Sequence, residues 1–223
     1  MSLSGTGLTL TYGATVALAG ASVTVAPGEV VALVGPSGSG KTSLLYCLSG
    51  LARPSSGQVL VGDIELTALD DAGLVAVRRE HFGFVFQFSE LVPELTLAEN
   101  VALPLELLKA GRRDTRRRVA ELLERLGIGD LGGRYPAQVS GGQAQRAAVA
   151  RALVHRPAVV FADEPTGSLD SANTDTVLSA LVELSRDTGS SIVLVTHDDK
   201  VATAADRRVF VRDGFCTDEV LSR

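Results

Sequence analysis

The stretch Gly35-Pro36-Ser37-Gly38-Ser39-Gly40-Lys41-Thr42 decides how the rest of the chain is read. It fits the phosphate-binding loop pattern G-x-x-x-x-G-K-[ST]. The small residues Gly35, Gly38, Ser39 and Gly40 let backbone N–H groups crowd around phosphate oxygens without Cβ clashes. Lys41 can reach the β- and γ-phosphates, and the Thr42 hydroxyl can ligand Mg²⁺. A helix starting here turns the positive end of its dipole toward the phosphates. The flanks agree. Glu29 to Val34 is an apolar run suited to a buried strand, and Thr42 to Leu48 reads as a helix ending near Gly50. Strand, loop and helix in that order are the context this motif requires.

The bulk composition is that of a globular protein. The 223 residues suit one domain and can bury a real core. Apolar residues make up 45% and charged residues 21%. A net charge of −5 argues against a general nucleic-acid binder, and none is expected as a partner. Cys47 and Cys216 stand far apart and read as free thiols of a reducing compartment. Cys and His form no cluster with zinc spacing.

Met1 to Gly28 carries no charged residue, but it lacks a basic leader and an unbroken apolar run. Leu8, Leu10, Tyr12, Ala14, Val16 and Leu18 alternate with Thr9, Thr11, Gly13, Thr15 and Ala17. Period two means strand rather than transmembrane helix. Residues 7–25 are therefore expected to form two antiparallel edge strands, bent near Gly20. Work at a membrane would be that of a peripheral subunit.

Further along, Gln58 to Val61 is a short strand and Asp70 to Arg79 a short helix. Phe82-Gly83-Phe84-Val85-Phe86 is a dense apolar strand ending at Gln87. From Ser89 to about Arg156 the pattern is helical, with Val119, Leu122, Leu123 and Leu126 on one face. Pro104 is expected to kink or end the helix that begins near Thr96. Five arginines lie between Arg112 and Arg118. They read as a solvated face with Arg117–Glu121 and Glu121–Arg125 pairs, or as a contact for anionic lipid or a partner. Strands return at Ala158 to Ala162 and Ser191 to Val195, with a Val177, Leu181, Leu184 helix stripe between them. Asp213-Gly214 marks a terminal hairpin. The sum is an α/β core with a helical insertion.

The polar residues at the strand ends suggest chemistry. Asp163 and Glu164 follow a buried strand, where a phosphate-loop enzyme places the carboxylate that holds Mg²⁺. Asp163 suits the metal, and Glu164 suits the general base that polarises the attacking water. His197 follows another buried strand and can touch the γ-phosphate and the water. Gln87 sits at a strand end where the insertion begins, and its amide can ligand Mg²⁺. Ser140-Gly141-Gly142-Gln143 opens a long helix and makes a second anion-binding helix end. One nucleotide has only one γ-phosphate to offer. Two such ends in one chain suggest two chains sharing two nucleotides head to tail.

With these motifs in this order, the chain resembles the ATP-binding subunits of ABC transporters over nearly its whole length. The match rests on the loop Gly35–Thr42, Gln87, the signature Val139–Gln143, Asp163-Glu164, Ser168-Leu169-Asp170 and His197. The resemblance implies one domain, 1–223. It combines a phosphate-loop NTPase core, in which helices flank a mixed, mainly parallel sheet, with an antiparallel β-subdomain and an α-helical subdomain at about 88–156. It implies ATP and Mg²⁺ as cofactors. ATP would be bound by Gly35 through Ser43 and Gln87, and Mg²⁺ by Thr42, Gln87 and Asp163. Catalysis would fall to Glu164, His197 and Lys41. Tyr12 looks like the residue that stacks on adenine; its other reading is a half-buried strand tyrosine. Ser140, Gly141, Gly142 and Gln143 would face the other subunit's ATP, with Ser168, Leu169 and Asp170 at the dimer contact. The partners implied are a second copy in the ATP-bound state and a membrane permease on a separate chain. Such a subunit sits peripherally on the cytoplasmic face of the cell membrane.

Phe84 to Gln87, Leu91 to Thr96, Glu99 to Pro104 and Tyr135 to Gln138 are similar to the lipoprotein-release and macrolide-export type, which makes the expected partner an exporter or extractor. Val139 stands where leucine is usual, and Thr42-Ser43 where Ser-Thr is usual. Neither removes a needed hydroxyl, charge or backbone donor. The alternative is an ABC-type ATPase that regulates cell division through a membrane partner. Kinases and GTPases fit worse, because they do not explain Ser140–Gln143 and no Asn-Lys-x-Asp guanine motif occurs.

Overall fold

The computed structural model describes residues 1–219. The chain opens with strands β1 (Leu3–Tyr12), β2 (Thr15–Val25) and β3 (Val30–Val34), then helix α1 (Lys41–Leu48). Strands β4 (Ser56–Val61) and β5 (Ile64–Glu65), helix α2 (Asp71–His81) and strand β6 (Phe82–Phe86) follow. Helices α3 (Leu97–Leu107), α4 (Arg112–Arg125) and α5 (Gly141–Leu153) form the middle. The last part holds β7 (Val159–Asp163), α6 (Ser171–Thr188), β8 (Ser191–Val195), α7 (Asp199–Ala202), β9 (Arg207–Arg212) and β10 (Phe215–Glu219).

Two sheets result. One is antiparallel with order β2-β1-β4-β5; the other has order β10-β9-β3-β8-β7-β6 and is parallel except at its β9–β10 hairpin. Parallel strands buried on both faces read as continuous apolar runs, and alternate residues of β3, β7 and β8 do enter two separate cores. Val30, Ala32, Val160, Ala162, Ile192 and Leu194 pack toward α3–α6. Val31, Leu33, Val159, Phe161, Val193 and Val195 pack toward α1, α2 and the antiparallel sheet. Helix α1 lies in the second core with Leu44, Leu45 and Leu48 fully buried. Cys47 is buried there as a free thiol whose pKa burial pushes up to about 11.

Local chemistry sets the helix starts. Asp70 caps α2 by accepting from the Gly73 N–H, and Asp170 caps α6 through the Asn173 N–H. Thr96 and Glu99 form a reciprocal capping box on α3. The buried Asn100 side chain donates to Val92, Leu95 and Thr96 carbonyls and accepts from the Val92 N–H, which fixes the segment entering α3.

Four local expectations change. The first hairpin turns at Gly13-Ala14, with Tyr12 opposite Thr15, and Gly20 lies inside β2 at φ 112°. The first strand starts at Leu3, and β1 is interior to its sheet rather than an edge. Helix α3 runs through Pro104 to Leu107, because Val101, Ala102 and Leu105 bury against the core and hold the turn that lost a hydrogen bond. Arg125 reaches Asp187 on α6 instead of Glu121, while Arg117 pairs with Asp114 at 2.9 Å and Glu121 at 3.9 Å.

Phe161 is 1% exposed and meets Phe82 edge-on at 5.0 Å and Phe84 in a stack at 5.7 Å. Phe161→Ala is expected to cost about 3–5 kcal/mol in chemical denaturation of the nucleotide-free protein. Glu121→Ala, on the solvated face of α4, should stay within about 0.5 kcal/mol of the parent.

Candidate functional site

The parallel register brings the polar strand ends together. Phe86 lies beside Asp163, Asp163 beside Val195, and Val195 beside Leu33. Gln87, Glu164, Thr196-His197 and the loop after Val34 therefore leave the sheet along one carboxyl edge, where open α/β sheets bind ligands.

The loop Gly35–Gly40 crosses that edge. Pro36, Ser37 and Gly38 form its exposed crest. Gly35 has φ 144°, and a Cβ there would lie 2.1 Å from the Val211 carbonyl. Gly40 has φ 104°, and a Cβ there would lie 2.3 Å from the Ala17 carbonyl. Both positions need glycine because neighbouring backbone lies against them. The terminal hairpin adds a brace, since the Gly214 N–H donates to the Ser39 carbonyl and the Ala19 N–H donates to the Gly214 carbonyl. The Lys41 ammonium is buried under the loop and donates to the Gly35 and Pro36 carbonyls at 2.9 and 2.8 Å.

These residues fit a polyphosphate. Helix α1 has no side-chain cap and no acid in its first turn, so its leading N–H groups face the loop unmatched. The Ser39 hydroxyl is buried without a partner. Ser43, half-buried, is in the same first turn. Tyr12 is 54% exposed at the end of β1. It lies close enough to Tyr46 on α1 that its charge helps raise the Tyr46 pKa, after burial and Asp163.

A cavity of about 360 Å³ opens beside the loop, and Thr42, Tyr46, Gln87, Asp163 and Glu164 line it. The Thr42 hydroxyl donates to Asp163 Oδ1 at 3.1 Å. Asp163 is pushed above the ordinary aspartate range, first by burial and then by the neighbouring Glu164; the Thr42 hydrogen bond and Lys41 oppose the shift. A hydroxyl, an amide and one carboxylate are hard oxygen donors, the set that suits a magnesium ion shared with phosphate oxygens. Among the described residues, no three His, Cys, Asp or Glu side chains converge on a metal site.

Glu164 is the strained residue of the site, with φ 49°. Its N–H donates to the Val195 carbonyl, and its carbonyl accepts from the Gly167 N–H. His197 Nδ1 donates to Glu164 Oε2 at 2.6 Å, which leaves Nε2 on an imidazole that is 66% exposed. One carboxylate oxygen is thus held by the imidazole.

The signature stretch lies elsewhere. Ser140 and Gln143 close α5 with a reciprocal capping box. Ser140 and Gly141 are exposed, and the Gly141 and Gly142 N–H groups have no acceptor inside the helix. A Cβ on Gly142 would lie 2.5 Å from Asn173 Oδ1, and one on Gly141 would lie 3.9 Å from Leu169. The signature therefore lies against Leu169 and against Asn173 at the start of α6. The Ser168 hydroxyl in turn donates to the Gln87 carbonyl at 2.8 Å. Among the described residues, no hydrogen bond joins Ser140–Gln143 to the phosphate loop.

Three supporting residues escape the sequence reading. Gln145 is buried on α5 and donates to the Phe86 and Pro165 carbonyls. Arg151 donates to the Ser89 and Glu90 carbonyls, and these two residues have φ of 58° and 49°. Gly214 reads as a hairpin turn without any sign of its reach to Ser39. The available signal for Gln145 is its place on one face with the buried Ala148 and Ala152, at i, i+3 and i+7.

Known proteins resemble this chain in sequence and fold. The ABC transporter family pattern matches residues 6–167. The chain is 43% identical over 204 residues to the lipoprotein-releasing system ATP-binding protein LolD of Cytophaga hutchinsonii, covering 92% of this chain and 93% of that one. It is 45% identical over 178 residues to the macrolide export ATP-binding/permease protein MacB of Shigella flexneri, covering 80% of this chain and 27% of that one. The solved dimeric post-hydrolysis state of the ATP-binding cassette MJ0796 bound to ADP and Pi superposes with a TM-score of 0.89 at 36% identity, covering 99% of both chains. The chain belongs to the ABC transporter family, as an ATP-binding cassette that hydrolyses ATP.

Proposed function

We propose that this ATPase works as a head-to-tail pair of identical chains that clamps two Mg·ATP and drives a separate membrane permease. The observation that carries the reading is the placement of two open helix ends in one chain. The α1 end lies under the phosphate loop, and the α5 end is exposed beside Ser140 and Gly141 with no hydrogen bond to that loop among the described residues. A second copy brings its α5 end to the first copy's γ-phosphate and completes both sites. The dimeric form of the solved relative supports this arrangement. No helix among the described residues is long and apolar enough to cross a membrane. The related LolD and MacB carry release and export in their names, which supports an exporting or extracting permease; LolD is named as an ATP-binding protein alone, which suits a permease on another chain and a peripheral place at the cytoplasmic membrane face for this one.

In this reading Gly35–Ser43 wraps the phosphates, Lys41 neutralises their charge, and Tyr12 stacks on adenine. Thr42, Gln87 and Asp163 would hold Mg²⁺, which supplies charge neutralisation at the transferring phosphoryl group. Glu164 takes the proton of the attacking water, and His197 holds Glu164 in place. Ser168, Leu169 and Asp170 lie at the contact between copies.

Glu164→Gln keeps the size of the side chain but cannot take a proton. Turnover should fall by about 10²–10⁴, while Mg·ATP still binds and the chain collects as a dimer. Phosphate release alongside size-exclusion chromatography with and without ATP reads both effects. A variant that stays monomeric at saturating ATP overturns the head-to-tail dimer. Ser140→Arg should leave nucleotide binding by the single chain near the parent value and stop hydrolysis; normal hydrolysis by that variant overturns the shared site.

Asp163→Asn separates stability from function. The folded Asp163 pKa is raised, so the folded state binds more protons than the unfolded one, and its ionisation costs stability as pH rises from the ordinary aspartate range. The asparagine variant should therefore melt higher than the parent at neutral pH in the absence of nucleotide. The advantage should shrink as pH falls through the raised folded pKa and be gone below about 4, and Mg-dependent hydrolysis should be lost. Thermal unfolding across pH, beside a steady-state assay, checks both signs.

A further inference from the structure

Helix α5 carries one fully buried polar side chain whose amide ends between the strands of the active edge. Gln145 is 1% exposed. Its Nε2 donates to the Phe86 carbonyl at 2.8 Å and to the Pro165 carbonyl at 2.7 Å. Phe86 immediately precedes Gln87, and Pro165 immediately follows Glu164. The β6–β7 ladder ends at the Phe86–Asp163 pair. The Gln145 amide therefore adds one side-chain rung beyond the last backbone pair. Both of its N–H donors are used, and on two different segments.

This rung lies where the backbone needs it. Glu164 has φ 49°, in a region that a side-chain-bearing residue occupies only when its surroundings determine it. The Val195 carbonyl holds Glu164 through its N–H, and the Gly167 N–H holds its carbonyl. Gln145 supplies the anchor on the next residue, Pro165, which has no N–H of its own to use. On the other strand, the same amide fixes the carbonyl just before Gln87, while Ser168 fixes the carbonyl of Gln87 itself.

We infer that Gln145 is a positioning residue for ATP hydrolysis. It sets Glu164 and Gln87 relative to each other, and it ties both to the helix whose first turn holds Ser140 and Gly141. It touches neither nucleotide nor water. The inference rests on the assignment of Glu164 and Gln87 to the reaction. Its physical content is that a donor at this point holds two backbone segments that otherwise move apart by a fraction of an ångström. A misplacement of about 1 Å costs on the order of 10²-fold in rate, and a smaller one correspondingly less.

Gln145→Met keeps the length and removes both donors. Its kcat for ATP hydrolysis should fall about 10- to 100-fold. The affinity of the single chain for Mg·ATP, measured by calorimetry, should remain within about two-fold of the parent, because the phosphate loop is on another strand. Gln145→Glu offers a second readout that a packing role does not move. A protonated glutamic acid can donate one hydrogen bond, whereas a carboxylate would face two carbonyl oxygens. Burial raises its pKa, so the donor is present at low pH and lost as pH rises through that value. Its kcat relative to the parent should therefore decline with rising pH across the range where circular dichroism shows it folded. The idea fails if Gln145→Met turns over at the parent rate, or if lower turnover comes with an equal loss of nucleotide affinity. Should the methionine variant not fold, a flat relative pH profile for Gln145→Glu overturns it. Glu164→Gln run in parallel separates the two readings. If that variant hydrolyses ATP normally, the assignment of the base has failed. If it is inactive and Gln145→Met is fully active, only the positioning role has failed.

Discussion

The in-register parallel ladder of β6, β7, β8 and β3 is the constraint on which the site depends. Each strand is held to its neighbour by backbone hydrogen bonds and pinned on both faces by apolar side chains. A shift of one residue in any strand would send its core residues to the opposite face. With that slip forbidden, the residues just past the strands can only emerge in one row. A glutamine, an acidic pair, a histidine and a glycine-rich loop, scattered over Gly35 to His197, thereby become one edge.

The second sheet has a part in the chemistry as well as in the core. Its strand β2 sets the Ala17 carbonyl against Gly40, and the β9–β10 hairpin sets Val211 against Gly35 and Gly214 against Ser39. The phosphate loop is thus held between backbone on two sides. Apart from the Ser39 N–H, which donates to the Pro36 carbonyl, its N–H groups can be rigid without bonding to one another, which is what preorganised anion binding requires. Lys41, tied to two loop carbonyls, adds a fixed cation to the same cradle.

Several features of the edge oppose stability. Asp163 is partly desolvated beside a second carboxylate, the Ser39 hydroxyl is buried without a partner, and Glu164 occupies a strained backbone region. They sit together where the sheet meets the loops, while the cores behind them are almost wholly apolar. Such clustering is the pattern of a site organised for a ligand that the protein alone does not satisfy.

The sequence by itself determined what is local. The phosphate loop is legible because glycine, lysine and threonine at fixed spacing have few other uses. The helix starts at Asp70, Thr96 and Ser140 are legible, and in the structure each of these side chains bonds an N–H three residues on. The apolar runs of β3, β6, β7 and β8 are legible because both faces are buried. The turn of the first hairpin at Gly13-Ala14 is not legible because alternation continues on both sides of a two-residue turn, whereas the bend expected near Gly20 coincides with a register shift inside β2. The Glu121–Arg125 pair was misread because helix spacing cannot see Asp187 on a neighbouring helix. Gln145, Arg151 and Gly214 were missed for the same reason. Their partners are remote in the chain: Phe86 lies 59 residues from Gln145, and Ser89 and Glu90 lie 62 and 61 from Arg151, while Gly214 reaches back to Ser39. Which backbone carbonyl a buried donor meets depends on how helices and strands pack across the sheet. Only the tertiary structure decides that, because packing brings together groups that no spacing along the chain relates.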